Sequence, residues 1–292
     1  MQPGAASRCP SIVGPRALAF AVSVLCAGCI ADFVLLWPPH RDATSPTGRL
    51  LVDEGGAIEV FVTPSAGAEP DAFVLAMFGN GELADAPAAE LAAILAEHGM
   101  HAEVWGVNYP GYGRSDGRAS LDGVARSARR AYAEVARRAA GKPIIAYGSS
   151  MGTTAALHLA AHVRLAGVVL KNPPPLPELV LRRHGWWNLF LLAVPVALQI
   201  PDDLDSIPNA ARSTAPAIFL SASDDEVVPV AYQERVMDAY AGPWRQFRLA
   251  GASHNDPLPA RARRDLVAAM RAWIAVGSIP PARSSRIGDS GS

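Results

Sequence analysis

Residues 142–163 read KPIIAYGSSMGTTAALHLAAHV and join two kinds of structural signal. The short apolar run 144–147 is typical of a buried parallel strand, and the alanine- and leucine-rich segment after Gly152 favours a helix. The turn between them, residues 148–152, fits the pattern G-x-S-x-G with Ser150 at its centre. Small residues allow a strand to turn directly into a helix, which leaves the central serine exposed in a strained turn. The stretch therefore predicts a nucleophile elbow.

A second segment, residues 113–117, fits the same pattern with Ser115 at its centre. A Pro-Gly-Tyr-Gly sequence separates it from the preceding strand-like run 104–108, and the next helix-like segment starts only near Leu121. Because the strand–turn–helix context is missing, we predict that Ser150 is the nucleophile and that Ser115 is a loop residue.

The composition sets the class of protein. The chain has 292 residues, half of them hydrophobic, and a formal net charge of −1. That length suits one large α/β domain with an N-terminal appendage. The near-neutral charge argues against nucleic-acid binding, since no basic surplus neutralises phosphates. The three cysteines, Cys9, Cys26 and Cys29, precede the globular region, so we expect neither a disulfide nor a cysteine metal site within the domain.

The apolar run 17–37 within the N-terminal segment 1–40 has three interpretations. It has about the 20 residues of a single membrane anchor, although Asp32 is unfavourable there. Residues 17–27 also suit the hydrophobic region of a cleaved signal peptide. Residues 26–29, CAGC, resemble a bacterial lipobox with Cys29 as the acylated residue, although a leucine is usual where Cys26 stands. Arginines before the run favour an inside N-terminus, so all three predict membrane association or export with an extracytoplasmic domain.

The rest of the chain alternates strand-like and helix-like segments. Strands are predicted at 57–63, 73–77, 104–108, 144–147, 167–170, 217–221 and 246–249, and helices at 87–98, 121–140, 151–163, 230–241 and 261–276. This alternation predicts an α/β fold whose mostly parallel central sheet is covered by helices on both faces. We expect a domain over 57–276, a tether over 41–56 and a disordered tail over 277–292.

A serine nucleophile needs a base, and the base needs an orienting acid. In a mostly parallel sheet such groups belong on loops at the carboxyl ends of strands. Three carboxylates follow the strand 217–221, and we predict Asp225, rather than Asp224, as the acid. The alternative is that these acids only cap the following helix. His254 follows the predicted last strand and is the predicted base.

Six other histidines compete with His254 for the role of base, and none of them stands at a strand exit in this chain order. His158 and His162 share one helical face and could bind zinc as a pair. The residues between them lack the glutamate of the zinc-protease motif, so we interpret the pair as helix surface or partly buried polar groups.

An oxyanion hole needs two N–H donors. One predicted donor is the backbone of Met151, directly after the nucleophile at the N-terminus of a helix. The other is the backbone of Asn80 in the sequence FGNG at 78–81, which follows the strand 73–77. The alternative for this loop is an ordinary Gly-Asn-Gly turn.

These stretches together resemble the serine α/β-hydrolases, in the membrane-anchored branch that includes protein depalmitoylases and monoacylglycerol-lipase-like esterases. The resemblance rests on FGNG at 78–81, NYPGYGRSDG at 108–117, the elbow, DEVVP at 225–229 and SHND at 253–256. It implies a Ser150–Asp225–His254 triad that hydrolyses carboxylic esters or thioesters through an acyl-enzyme, without metal or organic cofactor. The chain departs from the family at Phe78, where a histidine usually supports the oxyanion loop.

The resemblance also places a cap insertion at about 173–209, with an apolar stretch that contains Trp186, Trp187 and Phe190. These side chains either line a site for an acyl chain or cover the core. The implied substrate is a small-molecule or lipid acyl ester, with the membrane as a partner through the N-terminal segment. The alternatives are a serine peptidase on the same fold and a catalytically silent binding protein.

Overall fold

The computed structural model describes residues 29–39, 43, 45, 47–65, 69–184, 193–275 and 285–287. Within these ranges, nine strands form one sheet: β1 (Gly48–Asp53), β2 (Gly56–Thr63), β3 (Ala72–Met77), β4 (Ala102–Val107), β5 (Ile144–Ser149), β6 (Gly167–Lys171), β7 (Ala217–Ala222), β8 (Trp244–Leu249) and β9 (Ser285–Ile287). Their spatial order is β1-β2-β4-β3-β5-β6-β7-β8-β9. Strand β2 pairs antiparallel with β1 and with β4, and the other pairs are parallel.

Helices cover both faces of this sheet. They are α1 (Cys29–Leu35), α2 (Asp85–Glu97), α3 (Leu121–Ala139), α4 (Gly152–His162), α5 (Leu176–His184), α6 (Ala193–Leu198), α7 (Ser206–Arg212), α8 (Val230–Ala239) and α9 (Ala260–Ala275). Side chains of α2 and α9 share one hydrophobic cluster with the sheet, while α3, α4 and α8 contribute to the other. The predicted α/β fold is confirmed.

The central strands are buried on both faces, which explains why they read as continuous apolar runs. Every residue of β3 and β4 is buried, and in β7 the buried run extends to Ala222, shortly before the carboxylates of Asp224 and Asp225. Parallel strands covered by helices on both sides require such runs. Because β3, β5, β6, β7 and β8 run parallel, their carboxyl ends lie at one edge of the sheet. The loops at this edge carry the candidate site.

Two edge strands were not predicted. The predicted tether 41–56 contains β1, which pairs along its whole length with β2. Most side chains of β1 are exposed, so its sequence lacks the alternation of apolar and polar residues that marks a half-buried strand. Within the predicted disordered tail 277–292, β9 pairs with β8. The free backbone groups of an edge strand accept such a pairing without needing an apolar sequence.

The end of the apolar run 17–37 belongs to the folded domain. Ala31 and Leu36 are buried in the core cluster that faces α3 and α4. The side chain of Asp32 accepts a hydrogen bond from Leu121 N (2.7 Å), so it caps the N-terminus of α3. This contact accounts for the single charge in the run. Among the helices of the described ranges, none has the length and apolarity to cross a membrane.

The predicted cap, 173–209, is mostly helical where it is described. It contains α5, α6, a single 3₁₀ turn at Asp202–Leu204 and the start of α7. The predicted substrate-contacting residues Trp186, Trp187 and Phe190 lie outside the described residues.

Candidate active site

The turn between β5 and α4 holds Ser150 in a left-handed conformation, with φ of 52°. The glycines on both sides are required by packing. A Cβ on Gly148 would lie 2.6 Å from Thr153 Cα, and one on Gly152 would overlap the carbonyl of Met77. Close approach of the turn to both β3 and its own helix therefore explains the G-x-S-x-G spacing.

The structure brings Ser150, His254 and Asp225 together from the ends of β5, β8 and β7. His254 Nε2 lies 2.9 Å from Ser150 Oγ, and His254 Nδ1 lies 2.7 Å from Asp225 Oδ2. A carboxylate only accepts hydrogen bonds, so the imidazole carries its proton on Nδ1 and leaves Nε2 free to accept from the serine hydroxyl. This tautomer is the one that a general base for Ser150 needs.

The Asp225 carboxylate is buried and receives N–H groups on both oxygens. Oδ1 accepts from Val227 N (2.8 Å) and Val228 N (2.7 Å), and Oδ2 also accepts from Gln233 Nε2 (3.3 Å). Its side chain has no exposed surface. Asp224 instead accepts from the Ser223 hydroxyl at the surface (2.8 Å). The structure thus places Asp225, and not Asp224, against the histidine.

Asn172, directly after β6, supports the histidine loop and was not predicted. It is buried, with φ of 52°. Its Nδ2 donates to His254 O (3.0 Å) and its Oδ1 accepts from Ala222 N (2.9 Å). Asn172 therefore ties the His254 backbone to the end of β7. A polar residue at a strand exit is the signal that could have identified it.

Lys171, beside Asn172, braces the same loop. Its Nζ donates to Asp256 O (2.9 Å), and the Asp256 carboxylate accepts from Ser253 N (2.8 Å). Burial lowers the pKa of the Lys171 ammonium from its usual value. The loop 253–256 is thus tied down on both sides of His254.

The predicted oxyanion loop lies against the nucleophile. A Cβ on Gly79 would lie 3.6 Å from Ser150 Cβ. The Gly79 N–H already donates to Glu82 Oε2 (2.8 Å). Among the described residues, the backbone N–H groups of Asn80 and Met151 have no acceptor. These are the two groups predicted to receive an oxyanion.

Phe78, which stands where the family usually has histidine, is a core residue. It is 4% exposed and its ring lies 6.1 Å from that of Tyr147. The loop is held by other groups here, since the Tyr109 hydroxyl donates to Phe78 O (2.8 Å). Hydrogen bonds from tyrosine and to Glu82 therefore brace this loop without a histidine.

Ser115 lies apart from these residues. It is buried, its Oγ accepts from Glu59 N (2.8 Å) and it donates to Asn108 O (3.0 Å). It therefore links the loop after β4 to β2, the structural role expected of a loop residue.

The histidine pair on α4 is not arranged as a metal site. His158 is 2% exposed; its Nε2 lies 2.7 Å from a guanidinium nitrogen of Arg129 and its Nδ1 3.5 Å from Asp203. His162 Nδ1 bonds to His158 O. In the described part of the chain no three His, Cys, Asp or Glu side chains are grouped as metal ligands.

Several known proteins are similar to this chain in sequence. Residues 68–200 match the family described as serine aminopeptidase, S33. An uncharacterized protein of Mycobacterium tuberculosis is 31% identical over 230 residues, which cover 75% of this chain and 76% of that protein. Alpha/beta hydrolase domain-containing protein 17B of Homo sapiens is 23% identical over 272 residues, covering 79% of this chain and 86% of that protein.

A solved structure gives the same result for the fold. The Pyrococcus furiosus esterase superimposes with a TM-score of 0.61 at 14% identity, covering 82% of this chain and 98% of that chain. Together with the mostly parallel sheet and the strand–turn–helix around Ser150, these relationships show that the chain belongs to the α/β-hydrolase superfamily.

Proposed function

We propose that the protein is a serine hydrolase that cleaves carboxylic esters or thioesters through a Ser150–His254–Asp225 triad. The observation that carries the proposal is the continuous chain of contacts from Ser150 Oγ to His254 (2.9 Å) and on to Asp225 (2.7 Å). The esterase activity named for the structurally similar Pyrococcus furiosus protein supports the choice of ester substrates.

In the first half-reaction, Ser150 Oγ attacks the acyl carbon while its proton moves to His254 Nε2. Asp225 stabilises the imidazolium through Nδ1. The carbonyl electrons move onto oxygen, where the N–H groups of Asn80 and Met151 would donate to the resulting oxyanion. Collapse of this intermediate transfers the proton from Nε2 to the leaving alcohol or thiol and leaves Ser150 acylated.

In the second half-reaction, water attacks the acyl-enzyme and gives a proton to the same Nε2. Collapse of the second tetrahedral intermediate returns that proton to Ser150 Oγ and releases the carboxylic acid. Every proton in the cycle passes through one histidine nitrogen, so neither half-reaction requires a metal or an organic cofactor.

The second candidate is a serine peptidase that uses the same residues. The description of the matching family, serine aminopeptidase, favours it. An amide differs from an ester mainly in its leaving group, which needs protonation by His254 before it departs. The triad serves either substrate.

We further propose that the protein acts at a membrane, on the extracytoplasmic side. The apolar residues 17–28, before α1, support this as a signal peptide or a lipoprotein segment; an anchor of about 20 residues would also need the end of the run 17–37 to leave the domain core. In the lipoprotein interpretation, acylated Cys29 would stand at the first residue of α1.

The test is hydrolysis of p-nitrophenyl esters of graded acyl length and of aminoacyl p-nitroanilides by the full chain in detergent. We expect turnover of esters, with a chain-length optimum that reports the acyl site, and loss of turnover in Ser150→Ala. Preference for the anilides would favour the peptidase. If a well-folded wild-type protein turns over neither substrate, the catalytic proposal is wrong and the silent binding protein takes its place.

A further inference from the structure

The Asn80 side chain is held by three hydrogen bonds, two of them to the backbone at the C-terminal end of α1. Trp37 N donates to Asn80 Oδ1 (2.9 Å), and Asn80 Nδ2 donates to Leu35 O (2.7 Å). The Tyr112 hydroxyl also donates to Asn80 Oδ1 (2.8 Å). The Asn80 amide thus pairs its NH₂ group with the Leu35 carbonyl and its oxygen with the Trp37 N–H.

The Tyr112 hydroxyl is a permanent donor in this arrangement. The residue is fully buried and its ring packs edge-on against Tyr109 at 5.5 Å. Burial raises the pKa of Tyr112 to about 12, so the phenol keeps its proton throughout the physiological range.

The segment that binds Asn80 is itself anchored to the domain at several points. Ala31 has no exposed surface and Leu36 is 4% exposed, both within the core cluster. Ala31 N donates to Gln199 Oε1 (3.1 Å) at the end of α6, and Asp32 caps α3. Helix α1 therefore ties together the cap, the N-terminus of α3 and the oxyanion loop.

The backbone of the same segment also passes along that loop. Gly81 has φ of 78°, and a Cβ placed there would lie 3.6 Å from Trp37 O. The loop is thus bordered by Trp37 on one side and by Ser150, next to Gly79, on the other. Displacing the N-terminal segment would free the Asn80 side chain from two of its three partners.

We propose that α1 and the residues up to Trp37 are a positioning element of the active site, which orients the Asn80 N–H through the Asn80 side chain. The inference rests on the proposed hydrolase function, because it assigns that N–H to the oxyanion. Its consequence is that the end of the run 17–37, which one interpretation of the sequence includes in a membrane anchor, contributes to the active site of the hydrolase. A domain lacking residues 1–40 would lose both backbone partners of Asn80.

The test compares two variants of the full chain that place the same charge on the same helix. Ala31→Glu puts a carboxylate at a position with no exposed surface and should displace α1, whereas Phe33→Glu changes a residue that is 84% exposed. With a short p-nitrophenyl ester, we expect kcat of Ala31→Glu to fall by about 10- to 100-fold, the effect of a small misplacement of a catalytic group. KM should change little, and Phe33→Glu should match wild type.

Two further readouts distinguish a positioning role in the active site from a merely structural role. The affinity for a boronic acid that mimics the tetrahedral intermediate should fall by the same factor as kcat. In addition, Asn80→Ala should lower kcat to a similar level, and the double variant Ala31→Glu/Asn80→Ala should lose no more than either single variant. Additive losses, or an Ala31→Glu protein with wild-type kcat, would overturn the inference.

Hydrogen exchange keeps this test independent of catalysis. Amides of residues 78–82 should exchange faster in Ala31→Glu than in Phe33→Glu or wild type, while the amides of β3 keep their protection. Unchanged exchange at 78–82 in a displaced α1 would contradict the positioning role, whatever the activity. Absence of any hydrolysis by wild type would instead count against the proposed function.

Discussion

Replacing Asp225 with asparagine should lower kcat/KM for a p-nitrophenyl ester by about 10⁴-fold, the effect of giving a triad histidine the wrong tautomer. The direction follows from the hydrogen bonds of this carboxylate. Oδ1 faces the backbone N–H groups of Val227 and Val228 at 2.8 and 2.7 Å. An asparagine must keep its oxygen there, because its NH₂ would meet two donors.

The NH₂ group of the asparagine would then occupy the position of Oδ2, 2.7 Å from His254 Nδ1. Nδ1 would have to accept, so the proton would move to Nε2. Nε2 lies 2.9 Å from Ser150 Oγ and could then only donate to the nucleophile, not take its proton. A 10⁴-fold loss corresponds to about 5.5 kcal/mol of transition-state stabilisation, at 1.36 kcal/mol per tenfold.

The assay is steady-state hydrolysis of p-nitrophenyl butyrate by the full chain, with thermal unfolding measured in parallel. Asp224→Asn is the matched control, since it makes the same change on the adjacent exposed carboxylate, and it should stay within about twofold of wild type. An Asp225→Asn protein that keeps more than about a tenth of wild-type kcat/KM would refute the tautomer argument. Equal losses in the two variants would refute the choice of Asp225.

Three further predictions concern the surroundings of the site. Ser115→Ala should lower the free energy of unfolding by about 1–3 kcal/mol, because it leaves Glu59 N without its buried acceptor, and should leave kcat unchanged; a lost kcat at normal stability would contradict the structural role. Asn172→Gly, which suits φ of 52°, should lower kcat about tenfold by freeing the His254 backbone; wild-type kinetics would show that Asn172 positions nothing. Burial lowers the pKa of His158 from 6.5 to about 4, despite the opposing effect of Asp203. Between pH 6.5 and about 4 the unfolded chain binds a proton that the folded protein does not. The free energy of unfolding should therefore fall as the pH is lowered, by at most about 1.4 kcal/mol per pH unit. Chemical denaturation from pH 7 to 4 should show a flatter profile for His158→Gln, and equal profiles would contradict the assignment.

The fold could be predicted from the sequence because its central strands are buried on both faces. Strands such as β3 and β7 are continuous apolar runs, and helices α3 and α4 contain no proline. The exposed edge strands β1 and β9 gave no such signal, since an edge strand is specified by its partner's backbone rather than by its own side chains.

The positions of Ser150, Asp225 and His254 followed from chain order and strand exits, which are local features. The supports of the site depend on tertiary structure and were missed. Asn172 meets His254 across 82 positions of sequence, and Asn80 meets Leu35 across 45. In the sequence, the apolar run 17–37 reads as one segment. Hydropathy alone does not distinguish a residue that faces lipid from one that is buried in a domain core, as Leu36 is.

The most direct test of Ser150 as the nucleophile is to locate the adduct of a fluorophosphonate on the full-length protein by mass spectrometry. A fluorophosphonate reacts with a serine that a neighbouring base activates, so we expect one adduct, on Ser150. Labelling should persist in Ser115→Ala and disappear in Ser150→Ala, and it should be strongly slowed in His254→Ala. An adduct on Ser115, or a folded wild-type protein that takes no label, would contradict the assignment of Ser150 as the nucleophile.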